Sequence, residues 1–306
     1  MAASRLSSQP GKTITMTSTD LRFRNKKKWL GARTFLHAML LCLLCLSQVE
    51  RTFAAETYTF AVTPQFEHRK LFAIWKPIVA ELEKRTGLSF TLITNLSLEE
   101  YEQEVGKGTP DFIYVNPYLI LQENKSQGYI PLVRDLTPIH GMLVVRKDSP
   151  IRQVSDLNGK TVAFPSPNAL GAGLLLRADL DQIFHIKVVP VYVKSHTSAY
   201  MHVLNGLSEA GGGMNKTLLE QEKSLQDMLR VIYTTREAPS PPIAAHPRVP
   251  TEAREKVRRA FLDMAATPQG LAMLAKIPMK QPVSASLDEY LALRKWKLDA
   301  YWVKEF

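Results

Sequence analysis

The chain has 306 residues, of which 45% are apolar and 22% are charged, and its net charge is +10 at pH 7. This composition is typical of a globular protein and excludes an intrinsically disordered chain. Residues 1–54 hold nine Lys/Arg against two Asp/Glu, a net +7 of the +10. The rest of the chain is therefore nearly neutral, which argues against a nucleic-acid partner.

The positive N-terminus has the parts of an export signal. A basic stretch at residues 22–33 precedes an apolar run, FLHAMLLCLLCL at residues 35–46, and small residues suited to a cleavage site follow at 52–54. The apolar run is well short of the ~20 residues that span a bilayer, which disfavours the alternative of an uncleaved anchor. We predict that residues 1–54 are a signal peptide; translation from Met16 is an alternative start.

Both cysteines, Cys42 and Cys45, lie inside the apolar run. Their C-x-x-C spacing also occurs in redox and zinc sites, but within a removable signal they are more simply two small apolar residues. The mature chain is then expected to contain neither a disulfide nor a thiolate nucleophile.

Strand-like and helical segments alternate after the signal. Runs rich in β-branched and aromatic residues predict strands at 58–62, 88–94, 111–115, 129–133, 141–147, 160–164, 187–193 and 229–235. Helical periodicity and capping residues predict helices at 67–85, from 97, from 116, at 169–180, at 195–205, at 251–265, at 267–275 and at 286–302. This order predicts an α/β fold with parallel sheets and helices on both faces.

The stretch KTVAFPSPNALGAGLLLRADL, at residues 160–180, combines a strand, a tight polar loop and a helix. Pro165 and Pro167 end the strand, and Asn168 is a good N-cap for the helix. A helix that begins there directs its free N–H groups and its positive dipole end at the space above the strand. The sequence therefore predicts a seat for an anion or another small ligand.

Four junctions of this kind occur, at residues 63–65, 114–118, 165–170 and 194–197. Ligands of open α/β sheets bind at the carboxyl ends of the strands. If the chain leaves one lobe near residue 140 and returns near 240, the junctions lie on opposite walls of one cleft. This predicts a first lobe of residues 55–139 plus 240–306 and a second lobe of residues 140–239.

Three segments resemble a known family. They are PDFIYVNPYLIL at 110–121, LVVRKDSPI at 143–151 with VSDLNGKTVAFPSPNALGAGLLL at 154–176, and KSHTSAYMHVLNG at 194–206. They are similar to the PhnD-like phosphate-, phosphite- or phosphonate-binding proteins of ABC transporters, and the likeness runs from Thr57 to about Pro282. It implies a type II periplasmic binding protein with two Rossmann-like lobes, a hinge and a central cleft. It further implies a periplasmic location and delivery of the ligand to a permease in the inner membrane.

The sequence departs from this family where the ligand is held. Asn168-Ala169-Leu170-Gly171 stands where the family usually carries Ser-Thr-Ser-Gly, so the hydroxyl donors of that motif are missing. Thr197 replaces the acid after His196, and residues 211–215 read GGGMN at the usual acidic position. Ser240 stands where an Asp often precedes the proline of the return segment. These changes argue against aminophosphonate binding and leave another small ligand possible.

The candidate ligand-binding residues lie at the four junctions and in the altered acidic region. They are Thr63, Gln65, Tyr114, Asn116, Tyr118, Ser166, Asn168, Ala169, Leu170, His196 and Asn215. Several of them have a structural alternative. It is a turn for Thr63 and Gln65, capping for Ser166 and Asn168, core packing for Tyr118, and a surface position for His196. No metal or cofactor is expected, because His196 and His202 are misplaced for one helix face and residues 211–213 lack dinucleotide-motif spacing.

Three functional classes are considered. The preferred hypothesis is an exported receptor that captures a small oxyanion such as phosphonate, phosphite or phosphate for an ABC transporter. The first alternative is a ligand-sensing input subunit of a membrane-bound signalling protein, with a non-phosphorus ligand. The second is an enzyme, which the sequence disfavours because it contains no G-x-S-x-G elbow and no H-E-x-x-H helix. We expect a monomer without enzymatic activity.

Overall fold

The computed structural model describes residues 57–304. The predicted signal peptide, Met16 and the two cysteines therefore lie outside the described residues. Within the described part, eleven strands are assigned: β1 Thr57–Val62, β2 Ser89–Ile93, β3 Phe112–Tyr114, β4 Ile130–Asp135, β5 Gly141–Arg146, β6 Thr161–Phe164, β7 Val189–Tyr192, β8 Ala210–Met214, β9 Leu229–Thr234, β10 Ile243–Ala245 and β11 Pro282–Ser284.

The α-helices of the same part are α1 His68–Thr86, α2 Leu98–Gly106, α3 Pro117–Gln122, α4 Leu176–Gln182, α5 His196–Leu204, α6 Asn215–Leu219, α7 Lys223–Asp227, α8 Thr251–Ala265, α9 Pro268–Leu274 and α10 Leu287–Leu291. A π-helical segment, Leu170–Leu175, leads directly into α4, and 3₁₀ turns occur at Val154–Leu157, Ala292–Trp296 and Leu298–Ala300. No helix among residues 57–304 is long and apolar enough to cross a membrane.

The strands form two sheets, which confirms the predicted α/β fold. Sheet 1 has the order β11-β4-β10-β3-β1-β2, and sheet 2 has the order β7-β6-β8-β5-β9. We call the parts of the chain built on sheets 1 and 2 the first and second lobe. The strands of sheet 1 precede residue 136 or follow residue 242, and those of sheet 2 lie within residues 141–234. The exact lobe boundaries, 139/140 and 239/240, stay a prediction.

The expectation of purely parallel sheets is wrong. β1 pairs in parallel with β2 and β3, and β6 pairs in parallel with β7 and β8. However, β10 runs antiparallel to β3 and β4, and β5 runs antiparallel to β8 and β9. The reason is the crossing of the chain: β5 and β10 each follow a passage from the other lobe, and so they enter their sheets from the opposite end.

The two passages between the lobes run side by side as a hinge. Ile139 and Ala238 exchange backbone hydrogen bonds of 2.9 and 2.8 Å. At the next step, the Thr235 hydroxyl accepts from the Gly141 N–H at 2.9 Å, and the Thr235 N–H donates to the Gly141 carbonyl at 3.0 Å. Since both crossings are tied together, a change in their backbone angles moves one lobe against the other as a unit.

Glycines 211–213 lie in the strand β8. An added Cβ on Gly212 would lie 2.1 Å from the Ala172 carbonyl oxygen, and one on Gly213 would lie 2.3 Å from the Tyr200 hydroxyl. The glycines are required because helices on the sheet approach this strand too closely for a side chain.

The predicted C-terminal helix at 286–302 is wrong beyond its first turn. α10 ends at Leu291, and Lys297 takes a left-handed conformation with φ of +53° between two 3₁₀ turns. This reversal allows Leu298 to pack with Tyr118 of the first lobe and Leu174 of the second in one buried cluster. The C-terminal segment, residues 292–303, thus follows tertiary contacts with both lobes rather than its own helical periodicity.

Candidate functional site

A cavity of about 90 Å³ lies between the lobes, at the loops that follow β1, β3, β6 and β7. Residues from both lobes and from the hinge line it: Thr63, Pro64, Gln65, Leu98, Asn116, Pro117, Ile139, Pro165, Ser166, Ala169, Leu170, Gly171, Lys194, Ser195, His196, Met214 and Pro241. Seven of the eleven sequence-predicted residues are among them, and all four junctions contribute. Whether these residues contact a ligand stays a prediction.

The first-lobe wall is a rigid turn after β1. The Thr63 N–H and hydroxyl both donate to the Tyr114 carbonyl, at 3.0 and 2.8 Å, and the Gln65 N–H donates to the Thr63 carbonyl at 2.8 Å. The hydroxyl proton of Thr63 is therefore already in use, and this residue holds the turn that presents Gln65. Helix α1 begins three residues later; it has no side-chain cap and no acid in its first turn. Its 19 residues direct a positive dipole end towards this wall.

Asn116 has the predicted capping role at the start of α3. Its Oδ1 accepts from the Tyr118 N–H at 2.9 Å, and Pro117 occupies the first helical turn. Its Nδ2 donates across the cleft to the Asn168 carbonyl at 2.6 Å. This hydrogen bond joins the two lobes at the rim of the cavity.

The second-lobe wall is the loop after β6 and the π-helical segment that it enters. The Ser166 Oγ accepts from the Asn168 N–H at 3.1 Å, which leaves the proton of the Ser166 hydroxyl free for another acceptor. Ala169 is the N-cap residue and supplies no side-chain cap, so the first N–H groups of the segment receive no side-chain acceptor. π-Helical turns inside helices occur often at functional sites.

His196 and Lys194 supply the remaining polar groups. Burial lowers the pKa of His196 to about 4, so its imidazole is neutral at neutral pH. The Nδ1 of this ring is buried and has no hydrogen-bond partner among the described residues. Lys194 is exposed and takes a φ of +70°, a conformation that costs about 1–3 kcal/mol for a residue other than glycine and is concentrated at ligand sites.

The side chain of Asn168 does not line the cavity, which corrects its predicted role as the helix cap. It is fully buried, and its Nδ2 donates to Glu102 Oε2 at 2.8 Å and to the Val303 carbonyl at 2.7 Å. Its Oδ1 accepts from the Val303 N–H at 3.0 Å. The side chain is therefore committed to the first lobe and to the C-terminal segment, on the side away from the cavity.

Three other predicted residues are also absent from the cavity lining. The Tyr114 hydroxyl donates to the Ile277 carbonyl at 3.2 Å inside the core, and the Tyr118 hydroxyl donates to Asp299 Oδ1 at 2.9 Å. Asn215 begins α6 next to the cavity-lining Met214, and its buried Oδ1 has no partner within residues 57–304. For Tyr118 the structural alternative, core packing, describes what the structure shows, and Tyr114 is buried as well.

Sequence reasoning missed Lys194, Ser195 and Gly171 as lining residues, although they lie within or beside the predicted junctions. It also missed the hinge residues Ile139 and Pro241, which carry no local signal for ligand contact. The complete lining contains one ammonium group, several neutral donors and, in the described chain, no carboxylate. No group of three or more His, Cys, Asp or Glu suited to a metal is found in residues 57–304.

Comparisons with known proteins agree with this geometry. A family model described as the periplasmic substrate-binding protein of a phosphonate ABC transporter matches residues 60–290. No curated protein sequence matches the chain significantly.

Solved structures share its fold at low sequence identity. A binding-protein component of an ABC phosphonate transporter from Pseudomonas aeruginosa is 14% identical, with a TM-score of 0.70, over 79% of this chain and 85% of that one. PhnD1 of Prochlorococcus marinus, in complex with methylphosphonate, is 15% identical, with a TM-score of 0.71, over 80% and 98%. A Xanthomonas citri protein bound to ATP is 16% identical, with a TM-score of 0.64, over 80% and 98%.

Proposed function

We propose that this chain, which belongs to the family of periplasmic phosphonate-binding proteins of ABC transporters, holds one small tetrahedral oxyanion in the cavity between its lobes. The family implies a small-molecule ligand, an ABC transporter as partner and a periplasmic location. The proposed ligand class is phosphonate, phosphite or phosphate. Ligand capture between hinged lobes then presents a closed receptor to the permease.

The observation that carries the proposal is the polarity of the cavity. Its lining offers the Ser166 hydroxyl, the His196 ring and the Lys194 ammonium, and it includes no Asp or Glu in the described residues. A buried anion needs such donors, whereas an ammonium group placed inside this cavity would lack a carboxylate partner. The cavity volume of about 90 Å³ is below the roughly 300–1,000 Å³ of typical pockets for larger organic ligands, so the cavity itself suits the oxyanion group alone.

His196 is the side chain from which we expect the largest single contribution. A buried polar atom without a partner costs about 1–3 kcal/mol, and a ligand oxygen that accepts from the neutral imidazole removes that cost. Because the ring is neutral, its contribution is a hydrogen bond rather than an ion pair. Lys194 supplies the positive charge from the rim, and the uncapped helical segment at Leu170 supplies backbone donors.

Isothermal titration calorimetry with phosphite, methylphosphonate and phosphate tests the proposal. We expect one ligand to bind per chain, and we expect His196→Ala to lower the affinity by about tenfold or more, which corresponds to about 1.4 kcal/mol. His202→Ala is the matched control, because this residue lies on the same helix but does not line the cavity. The absence of binding across the three anions, or equal losses in both variants, would refute the proposal.

We further propose that the chain is exported after removal of residues 1–54, acts as a monomer and catalyses no reaction. The composition of the N-terminus supports export, and the absence of a recognised catalytic motif in the sequence supports the lack of activity. The monomeric state is an expectation that the light-scattering experiment has to test. N-terminal sequencing of the secreted protein and light scattering of the purified protein test the first two statements. Turnover of a phosphonate ester by the purified protein would contradict the third.

A further inference from the structure

A second space adjoins the cavity on its outer side. This outer groove has a volume of about 700 Å³ and is bounded by residues 64–68 and 96–99 of the first lobe. Its second-lobe wall consists of residues 165–167 together with Tyr192, Lys194 and Ser195. Gln65, Ser166 and Lys194 line both spaces, so the groove is continuous with the proposed anion site.

The groove exists although the lobes already touch at its inner end. The Asn116 Nδ2 lies 2.6 Å from the Asn168 carbonyl oxygen, so the two walls meet beside the cavity. The remaining volume is therefore a property of the wall shapes and not only of the distance between the lobes. A bare tetrahedral anion would leave this space to water.

Tyr192 is the fixed aromatic group of the groove. It ends the edge strand β7 and keeps 41% of its surface exposed. Its ring lies 6.4 Å from the Phe164 ring, and the Arg177 guanidinium carbon lies 5.9 Å from its centroid. Phe164 and Arg177 restrict the ring on one side. Its exposed face can therefore receive a flat apolar group with little further loss of conformational freedom for the Tyr192 side chain.

The other groups of the groove favour an apolar substituent without further negative charge. Phe66, Leu96 and Leu98 provide apolar surface on the first-lobe wall. Glu67 and Glu99 are the carboxylates of the lining, and Lys194 lies where the groove meets the cavity. A second anionic group in the groove would face two like charges, whereas a neutral ring or branched chain would bury apolar surface.

We propose that the physiological ligand is an organophosphonate or phosphate monoester whose uncharged, apolar or aromatic substituent occupies the outer groove against Tyr192. This inference rests on the proposed function, since the phosphoryl group occupies the cavity. It makes Tyr192 a specificity-determining residue for the substituent and leaves recognition of the oxyanion to the inner groups.

Competitive calorimetry with methylphosphonate, phenylphosphonate and phosphonoacetate tests the inference on the exported chain. We expect phenylphosphonate to bind about tenfold more tightly than methylphosphonate. Phosphonoacetate, which carries a carboxylate in addition to its phosphonate, should bind more weakly than phenylphosphonate. The double variant Glu67→Gln/Glu99→Gln should reduce the ratio of these two affinities about threefold.

Tyr192→Ala should lower the affinity for phenylphosphonate about tenfold and change that for methylphosphonate less than twofold. Val189→Ala is the matched control, because Val189 is exposed on the same strand but does not line the groove. Equal affinities for methyl- and phenylphosphonate, or equal losses for both in Tyr192→Ala, overturn the inference while leaving the proposed function intact. Failure of every phosphonate to bind overturns the proposed function and this inference with it.

Discussion

Replacement of Glu102 by glutamine should remove a pH dependence of folding stability that this carboxylate creates. Burial is the main cause that raises the pKa of Glu102 to about 7, and Glu123 nearby raises it further, while the hydrogen bond from Asn168 lowers it. The Oε1 of Glu102 is buried without a partner among the described residues. The folded protein therefore holds this group protonated in a pH range where the unfolded chain ionises it.

The sign and size of the effect follow from this pKa. Between the ordinary value of 4.5 and about 7, the folded state binds a proton that the unfolded state has released, so stability falls as pH rises. At about 1.4 kcal/mol for each pH unit across this window, ionised Glu102 lowers the free energy of unfolding by about 3 kcal/mol above pH 7. Partial relaxation of the site makes this an upper value.

Urea unfolding at pH 5, 6, 7 and 8 measures the effect. Glu102→Gln keeps an acceptor for the Asn168 amide and cannot ionise, so its profile should be flatter than that of the wild type, with the largest gain at pH 8. Glu104→Gln is the control, because Glu104 lies on the same helix and pairs with Lys107 at the surface. Parallel profiles of the wild type and Glu102→Gln over this range would refute the reasoning.

Three further predictions follow from close contacts and buried charge. Gly141→Ala should destabilise the protein by about 1–3 kcal/mol and weaken ligand binding, because the new Cβ would lie 2.0 Å from the Gly171 carbonyl oxygen at the cavity wall. The His196 ring should show no titration between pH 5.5 and 8 by NMR, since burial lowers its pKa to about 4. Asp179→Ala should cost about 1–3 kcal/mol in urea unfolding, because it leaves the partly exposed Arg236, 2.8 Å away, without its partner and removes the acceptor of the Tyr233 hydroxyl.

Each of these has an internal control. Gly106→Ala meets only the flexible Glu123 side chain, at 3.5 Å, and should be tolerated. In the NMR experiment, comparison with the spectrum of His196→Ala identifies the signals that belong to the His196 ring. Asp181→Ala removes an exposed contact and should cost less than about 1 kcal/mol. The glycine argument fails if Gly106→Ala loses as much stability as Gly141→Ala. A His196 transition near pH 6.5 would contradict the second prediction, and equal losses of stability in Asp179→Ala and Asp181→Ala would contradict the third.

The parts of the fold that local signals determine could be predicted from the sequence. Asn116-Pro117 and Ser97 are capping signals read within four residues, and both mark helix starts in the structure. The short strands β10 and β11 were missed, because three residues carry too little periodicity to distinguish a strand from an extended connection. Their place in sheet 1 depends on pairing with β3 and β4, which are more than a hundred residues away along the chain.

The candidate site shows the same limit. Thr63, Ser166 and His196 could be predicted as cavity residues, because each follows the carboxyl end of a strand and ligands of α/β sheets bind at those ends. The direction of the Asn168 side chain could not be predicted, since its partners Glu102 and Val303 lie 66 and 135 residues away. The Asn168 oxygen that could cap the helix accepts from the Val303 N–H instead, and no local pattern reveals that distant donor.

Asn168 therefore explains how this chain tolerates its altered ligand loop. Its carbonyl accepts from Asn116 at the cavity rim, while its side chain holds Glu102 and the backbone of Val303. One residue thus connects the second-lobe wall of the cavity to the first lobe on two sides. These bonds fix the loop without the hydroxyl groups that the resembled family carries there. Under the proposed function, the loop then presents backbone N–H groups and Ser166 to the ligand. Any change that releases the Asn168 side chain, such as Asn168→Ala, should therefore disturb the cavity wall.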